Sequence, residues 1–185
     1  MTTAYLALGS NLGDRPAKLR AAVRALLEHP ALRIDLARDV ASLYETSPVG
    51  GPPDQPPYLN SVLRVQSSLS PADLLAAIHS IETSLGRTRC DRWEARVVDI
   101  DLLFVGDLVI DTPTLTLPHP RLHERRFVLE PLSELAADLI HPLTGVSIGA
   151  MAESLRRDRE TDAVTRIAGP EWIFDSPLQP QNLAL

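Results

Sequence analysis

One cysteine, Cys90, occurs in 185 residues. An internal disulfide is therefore excluded, and so is a cysteine-based zinc centre. That usage fits a reducing compartment, and a cytoplasmic protein is expected. No apolar run approaches the ~20 residues that span a bilayer. Met1-Thr2-Thr3-Ala4-Tyr5 also lacks the basic segment and apolar core of a secretion signal. Lysine is nearly missing, with Lys18 alone, so arginine supplies almost all positive charge against a net charge of −6. A chain so acidic argues against a polyanion such as nucleic acid as partner. Aromatic residues make up only 4%, so an aromatic at a chosen position carries more weight than usual.

What remains is ordinary for a globular protein: 44% apolar and 23% charged residues. The length suits one domain with a real core. Thr3–Leu8 alternates as a first strand. Asp14 and Pro16 then open a helix whose apolar stripe is Leu19, Val23, Leu26 and Leu27, ended by Pro30. A second strand is expected within Leu32–Tyr44, and a third over Tyr58–Val65. Residues 47–57 between them form a Pro/Gly loop. Ser70-Pro71-Ala72-Asp73 starts a helix that buries Leu74, Leu75, Ile78, Ile81 and Leu85 and stops at Gly86. Glu82 borders that buried side, as an edge residue or a positioned ligand. Gly106-Asp107 is expected to turn the next strand into Leu108–Ile110. A helix over 122–137 is expected to break at Pro131, and another spans Ser147–Arg157. Trp172, Ile173 and Phe174 form an apolar hook in a tail punctuated by Pro170, Pro177 and Pro180.

The most informative stretch is Arg96-Val97-Val98-Asp99-Ile100-Asp101-Leu102-Leu103-Phe104. In a strand, Asp99 and Asp101 share a face about 6–7 Å apart, with Val98, Ile100 and Leu102 turned to a core. Two carboxylates so placed suit a hard divalent ion, Mg²⁺ above all. A bare Asp-x-Asp is more often a solvated strand face. Here it follows four arginines in ten residues, Arg87, Arg89, Arg92 and Arg96. Guanidinium forks grip phosphate oxygens in pairs, so arginines beside paired acids fit a nucleotide polyphosphate with Mg²⁺. Cys90 among them has no neighbouring histidine to act as its base, and it is expected to be a bystander.

The order strand, helix, strand, strand, helix, strand matches the ferredoxin-like split βαβ arrangement. The fold class expected is α+β, a mainly antiparallel sheet flanked by helices with long catalytic loops. Residues 1–158 are expected to form the catalytic domain and 159–185 a tail docked on it. An RNA-binding module of the same topology would need a basic surface. An Asp-x-Asp glycosyl- or nucleotidyltransferase would need a larger chain.

Four stretches then meet in order: Ala7-Leu8-Gly9-Ser10-Asn11-Leu12-Gly13-Asp14, Gln55-Pro56-Pro57-Tyr58-Leu59-Asn60, Arg96–Asp101, and Leu117-Pro118-His119-Pro120-Arg121 with Arg125 and Phe127. On these the chain resembles, over residues 4–145, the 6-hydroxymethyl-7,8-dihydropterin pyrophosphokinases (HPPK) of folate biosynthesis. The resemblance implies an ATP- and Mg²⁺-dependent diphosphokinase that gives AMP and the dihydropterin diphosphate. It implies Asp99 and Asp101 as ligands of two Mg²⁺ ions, with Arg87 and Arg96 beside them in catalysis. It implies Glu82, Arg89, Trp93, Arg96, Thr116, His119 and Arg125 at the ATP, and Thr46, Val49, Tyr58, Asn60, Trp93 and Phe127 at the pterin. His119 would be a hydrogen-bond donor rather than the base. A monomer with no nucleic-acid or membrane partner is expected. Glu94-Ala95 stand where the family has Gly-Pro, and Pro120 where some members carry an aromatic.

Overall fold

Thr2–Ser10 forms strand β1, whose Ala4, Leu6 and Leu8 enter one hydrophobic core while Tyr5 and Ala7 enter another. That alternation sets a sheet with a core on each face. The computed structural model describes residues 1–47, 55–86, 97–158 and 163–174. Helix α1 (Arg15–Glu28) is capped by Asp14, whose carboxylate accepts the Ala17 N–H at 3.0 Å. Its Leu19, Val23 and Leu26 are buried, whereas Leu27, expected in the same stripe, is 37% exposed.

The second strand is two pieces, β2 (Leu32–Arg33) and β3 (Leu43–Thr46). Asp39 interrupts them. Its carboxylate accepts the Asp35 N–H at 2.8 Å and Arg64 Nε at 2.6 Å, while its own N–H donates to the Asp35 carbonyl. Such local side-chain bonds compete with a ladder. Strand β4 (Tyr58–Ser67) and helix α2 (Pro71–Ser84) follow, the helix capped by Ser70, with Leu74, Ile78 and Ile81 in the first core.

Strand β5 (Asp99–Val105) is followed by Gly106 at φ 55°, a left-handed turn that glycine adopts without strain. The expected hairpin does not form there. The Gly106 N–H donates to the Thr3 carbonyl at 2.7 Å, tying the turn to β1, and Leu108 and Val109 stay exposed. Instead β6 (Ile110–Asp111) and β7 (Thr116–Leu117) pair as a separate ribbon. Helix α3 (Arg126–Ala136) runs through Pro131 rather than breaking at it. Pro131 is itself buried between Val128, Leu129 and Leu132, and burial of that face outweighs the one lost backbone bond. Helix α4 (Ile148–Arg157) starts at Ser147. Strand β8 (Val164–Ala168) closes the described chain with a short turn of 3-10 helix at Pro170–Ile173.

The main sheet has the order β5-β1-β4-β3-β8, each pair antiparallel, with β2 added beside β4. Its first four strands and the helices α1 and α2 make the split βαβ pattern. α1 and α2 cover one face, α3 and α4 the other. The α3–α4 layer covers Tyr5, Val62 and Phe104, and the site lies farther along the same face.

Candidate active site

The pairing register assembles the site. Gly9 of β1 stands opposite Asn60 of β4 on one side and Asp99 of β5 on the other. Directly paired residues share a sheet face, so Asn60, Gly9 and Asp99 form one row. A Cβ on Gly9 would lie 3.4 Å from Asn60 Oδ1 and 4.0 Å from Asp99 Cβ. The glycine thus leaves a shallow trough between an amide and a carboxylate. The next row on this face is Val62, Ala7 and Asp101, again with a small residue in the middle. Asp99 and Asp101 are therefore brought together on one face, next to that trough.

Three contacts hold this end of β5 in place. Ser10 Oγ donates to the Val97 carbonyl at 2.7 Å. Glu82, buried on α2, accepts the Ile100 N–H through Oε1 at 2.8 Å. The His119 N–H donates to the Leu103 carbonyl at 3.0 Å, which binds the segment after β7 to the outer edge of β5.

A guanidinium and an imidazole face Asp101. Its Oδ2 accepts Arg125 Nη1 at 3.2 Å and lies 3.9 Å from His119 Nε2, while the side chain keeps 35% exposure. Arg125 occupies the N-cap position of α3, and its guanidinium carbon stands 5.7 Å from the centre of the Phe127 ring. Burial pushes the His119 imidazole below its ordinary pKa, opposed by Asp101 and reinforced by Arg125. His119 Nδ1 accepts the Arg121 N–H at 3.3 Å, which leaves Nε2 as the N–H turned toward Asp101.

The amide end is equally fixed. Asn60 Nδ2 donates to Thr46 Oγ1 at 2.8 Å, and both side chains are buried. Tyr58 is the register partner of Thr46, on the face of Asn60. Thr46, Tyr58, Asn60, Asp99, Asp101, His119, Arg125 and Phe127 thus converge from β3, β4, β5, the segment after β7 and α3. Around the edge of β5 opens a cleft of about 330 Å³ with Leu75, Ile100 and Leu102 as apolar lining and Asp101, Thr116 and His119 as polar lining. Val49, Arg87, Arg89, Trp93 and Arg96 lie outside the described residues, as does Cys90.

Sequence reasoning missed His79, Thr112 and Thr114, which also line the cleft. The period of α2 marked Leu75 only as core, and residues 112–114 offered no periodicity at all. Among the described residues no third carboxylate, histidine or cysteine joins Asp99 and Asp101 as a metal cluster. No described helix is long and apolar enough to cross a membrane.

A family model described as 7,8-dihydro-6-hydroxymethylpterin-pyrophosphokinase matches residues 5–137. The chain is 47% identical over 132 residues to 2-amino-4-hydroxy-6-hydroxymethyldihydropteridine pyrophosphokinase of Bacillus subtilis, covering 71% of this chain and 77% of that relative. It is 41% identical over 142 residues to the Haemophilus influenzae protein of the same name, covering 77% and 86%. Among solved structures, a Plasmodium falciparum HPPK-DHPS crystal structure superposes with a TM-score of 0.66 at 15% identity. That match covers 86% of this chain but 44% of the other, so the chain spans less than half of that protein, and the likeness speaks for fold alone. Residues of all four motifs converge on the trough and its cleft, and the matched region contains all four motifs: the chain belongs to the 7,8-dihydro-6-hydroxymethylpterin-pyrophosphokinase family.

Proposed function

We propose that the trough and the adjoining cleft are the two halves of one active site, the pterin in the first and ATP in the second. The reaction is that of the family: pyrophosphate passes from ATP to the hydroxymethyl group of 6-hydroxymethyl-7,8-dihydropterin in folate biosynthesis. The hydroxymethyl oxygen bonds to the β-phosphorus, the bond from that phosphorus to the α-phosphate bridging oxygen breaks, and AMP leaves. The hydroxyl proton goes to solvent. The observation that carries our reading is the row Asn60, Gly9, Asp99.

Asp99 and Asp101 fit Mg²⁺. Their oxygens share one face, Asp101 is partly open to solvent, and Mg²⁺ binds through one or two carboxylates with substrate phosphates completing its shell. When bound, the ion, in two copies by the family pattern, neutralises phosphate charge and lines up the reacting oxygen. Arg125 and the Nε2–H of His119 are aimed at the same spot and donate to phosphate oxygens, so charge that builds on the leaving phosphate meets fixed donors. Arg87, Arg89 and Arg96 add to this set by family pattern, with Trp93 at the nucleotide and the pterin and Val49 at the pterin.

For the pterin, the Asn60–Thr46 bond orients the amide. With Nδ2 committed to Thr46, Oδ1 is left over Gly9 to accept from the ring's amide edge. Such a pairing rejects rings that lack it strongly. Tyr58 and Phe127 supply flat apolar faces for stacking. Glu82 serves the nucleotide half through β5, since its carboxylate holds the Ile100 N–H. Thr116 lines the ATP cleft. We propose further that the enzyme acts as a cytoplasmic monomer without nucleic-acid or membrane partners, with residues 1–158 as its catalytic domain and 159–185 as a tail docked on it.

An assay of AMP release from ATP and hydroxymethyldihydropterin tests this reading. Asp99→Ala and Asp101→Ala are each expected to lose turnover by at least ~10³-fold while keeping the wild-type circular-dichroism spectrum, since electrostatic clamps on this scale are common in phosphoryl transfer. Near-normal AMP release by either variant would remove the metal assignment.

A further inference from the structure

Arg15 stands in the first turn of α1, where a cation is locally unfavourable because the helix N-terminus is the positive end of its dipole. No acidic residue accompanies it in that turn. Its guanidinium reaches to the sheet instead. Nη1 donates to the Pro57 carbonyl at 2.7 Å and lies 3.0 Å from Glu45 Oε2. One nitrogen thereby joins two segments, each a single residue from the pterin trough. Glu45 precedes Thr46 in β3, Pro57 precedes Tyr58 in β4, and Thr46 and Tyr58 are register partners at the ends of those strands.

The side of approach matters. Glu45 pairs with Leu59, which belongs to the core under α1 and α2. Thr46, Tyr58 and Asn60 turn to the opposite face. Arg15 therefore grips the strand ends from behind, outside the trough. Asn11 Nδ2 adds a second link from the β1–α1 connection to Gln55 Oε1 at 3.3 Å.

We propose that Arg15 is a positioning residue for the pterin: it fixes the spacing and twist of the strand ends that present Thr46 and Tyr58, without touching the ligand. The proposal rests on the reading of those two residues as pterin contacts. A cation kept at the wrong end of a helix is explained by this task, because a single guanidinium can satisfy a carboxylate and a carbonyl together.

The test is steady-state kinetics and thermal melting of the full chain carrying Arg15→Met, Arg15→Lys or Tyr58→Ala. Arg15→Met is expected to raise KM for hydroxymethyldihydropterin about tenfold, the loss of a charge-assisted hydrogen bond, with KM for ATP and kcat within about twofold of wild type. Its Tm is expected to hold or rise, because a cation leaves the positive end of α1. Arg15→Lys is expected to recover part of the pterin KM. A role in general stability would instead lower Tm and raise both KM values together, and that pattern overturns the proposal. Tyr58→Ala separates the two layers of the argument. If it raises the pterin KM while Arg15→Met does not, the clamp fails alone. If Tyr58→Ala leaves the pterin KM unchanged, the pterin assignment fails and takes the clamp with it.

Discussion

His141 shows how one buried residue ties stability to pH. It is 4% exposed, meets Phe104 edge-on at 5.8 Å, and accepts the Leu143 N–H through Nδ1 at 3.3 Å. Burial, reinforced by the nearby His123, pushes its imidazole below the ordinary pKa. The unfolded chain, with an ordinary imidazole near ~6.5, therefore takes up a proton first as pH falls. The contribution of His141 is complete above about pH 6.5 and is lost as pH drops through its depressed folded value. Glu130 acts in a lower window. Burial raises its carboxyl, but hydrogen bonds from Arg156 and Arg126 outweigh that and hold it below the carboxylate range. Urea midpoints are thus expected to fall from about pH 7.5 to 5.5, and to fall less steeply in His141→Gln. Parallel slopes for the two proteins would refute this. Nothing in the sequence around His141 announced its burial, because the turn that contains it, closed by the His141 N–H to the Val146 carbonyl, has no hydrophobic period. Asp99 and Asp101 were legible for the opposite reason: two acids at strand spacing within β-branched neighbours fix their own shared face.

At the scale of elements, the edge strand β5 is held by α2 as well as by its own ladder. β1 pairs it on one side, and on the other the Ile100 N–H is met by Glu82. Glu82→Leu would leave that N–H without this acceptor in a buried place, at a cost of about 1–3 kcal/mol, whereas Glu82→Gln keeps an acceptor oxygen. The leucine variant is expected to lose both denaturation midpoint and AMP release, because Asp99 and Asp101 flank the unsupported residue; the glutamine variant should stay near wild type. Equal losses in both variants would mean that the charge, not the hydrogen bond, matters. Helical spacing put Glu82 at the border of the buried side, yet could not name Ile100, since a partner 18 residues away depends on how helix and strand dock. The same limit explains the misread elements. Pro131 forecast a break from local chemistry, and the packed face of α3 overrode it. The expected strand over 32–44 was divided by Asp39, whose bonds to Asp35 and Arg64 became definite only once β4 lay beside it. Capping was local and legible at Asp14 and Ser70.

Across the whole molecule, the order of elements carried the topology, and three antiparallel pairings turned motifs far apart in sequence into one face. The exception is the end of the chain beyond α4, where no period was read and the family model, which matches only residues 5–137, gives no guide. There β8 adds a strand to β3, setting Val164 opposite Thr46, and Arg166 Nε donates to Ser42 Oγ at 2.8 Å. Beyond it Trp172 is 1% exposed in the first core. Its Nε1–H donates to the Ala41 carbonyl at 2.9 Å, and its own carbonyl accepts Arg20 Nη1 at 3.3 Å. One residue thus joins α1, the approach to β3 and the chain end. Trp172→Ala empties a site too large to collapse, and a loss of about 3–5 kcal/mol is expected, read as a lower urea midpoint in the full chain. Ending the chain at Asp158 removes the same indole and also uncovers the edge of β3, so it should destabilise at least as much and leave an edge open to pairing between chains. Size-exclusion chromatography of the shortened chain is expected to show association that Trp172→Ala, with β8 still in place, does not. A shortened chain as stable as wild type and eluting at the same volume would show that the sheet needs neither the strand nor the indole.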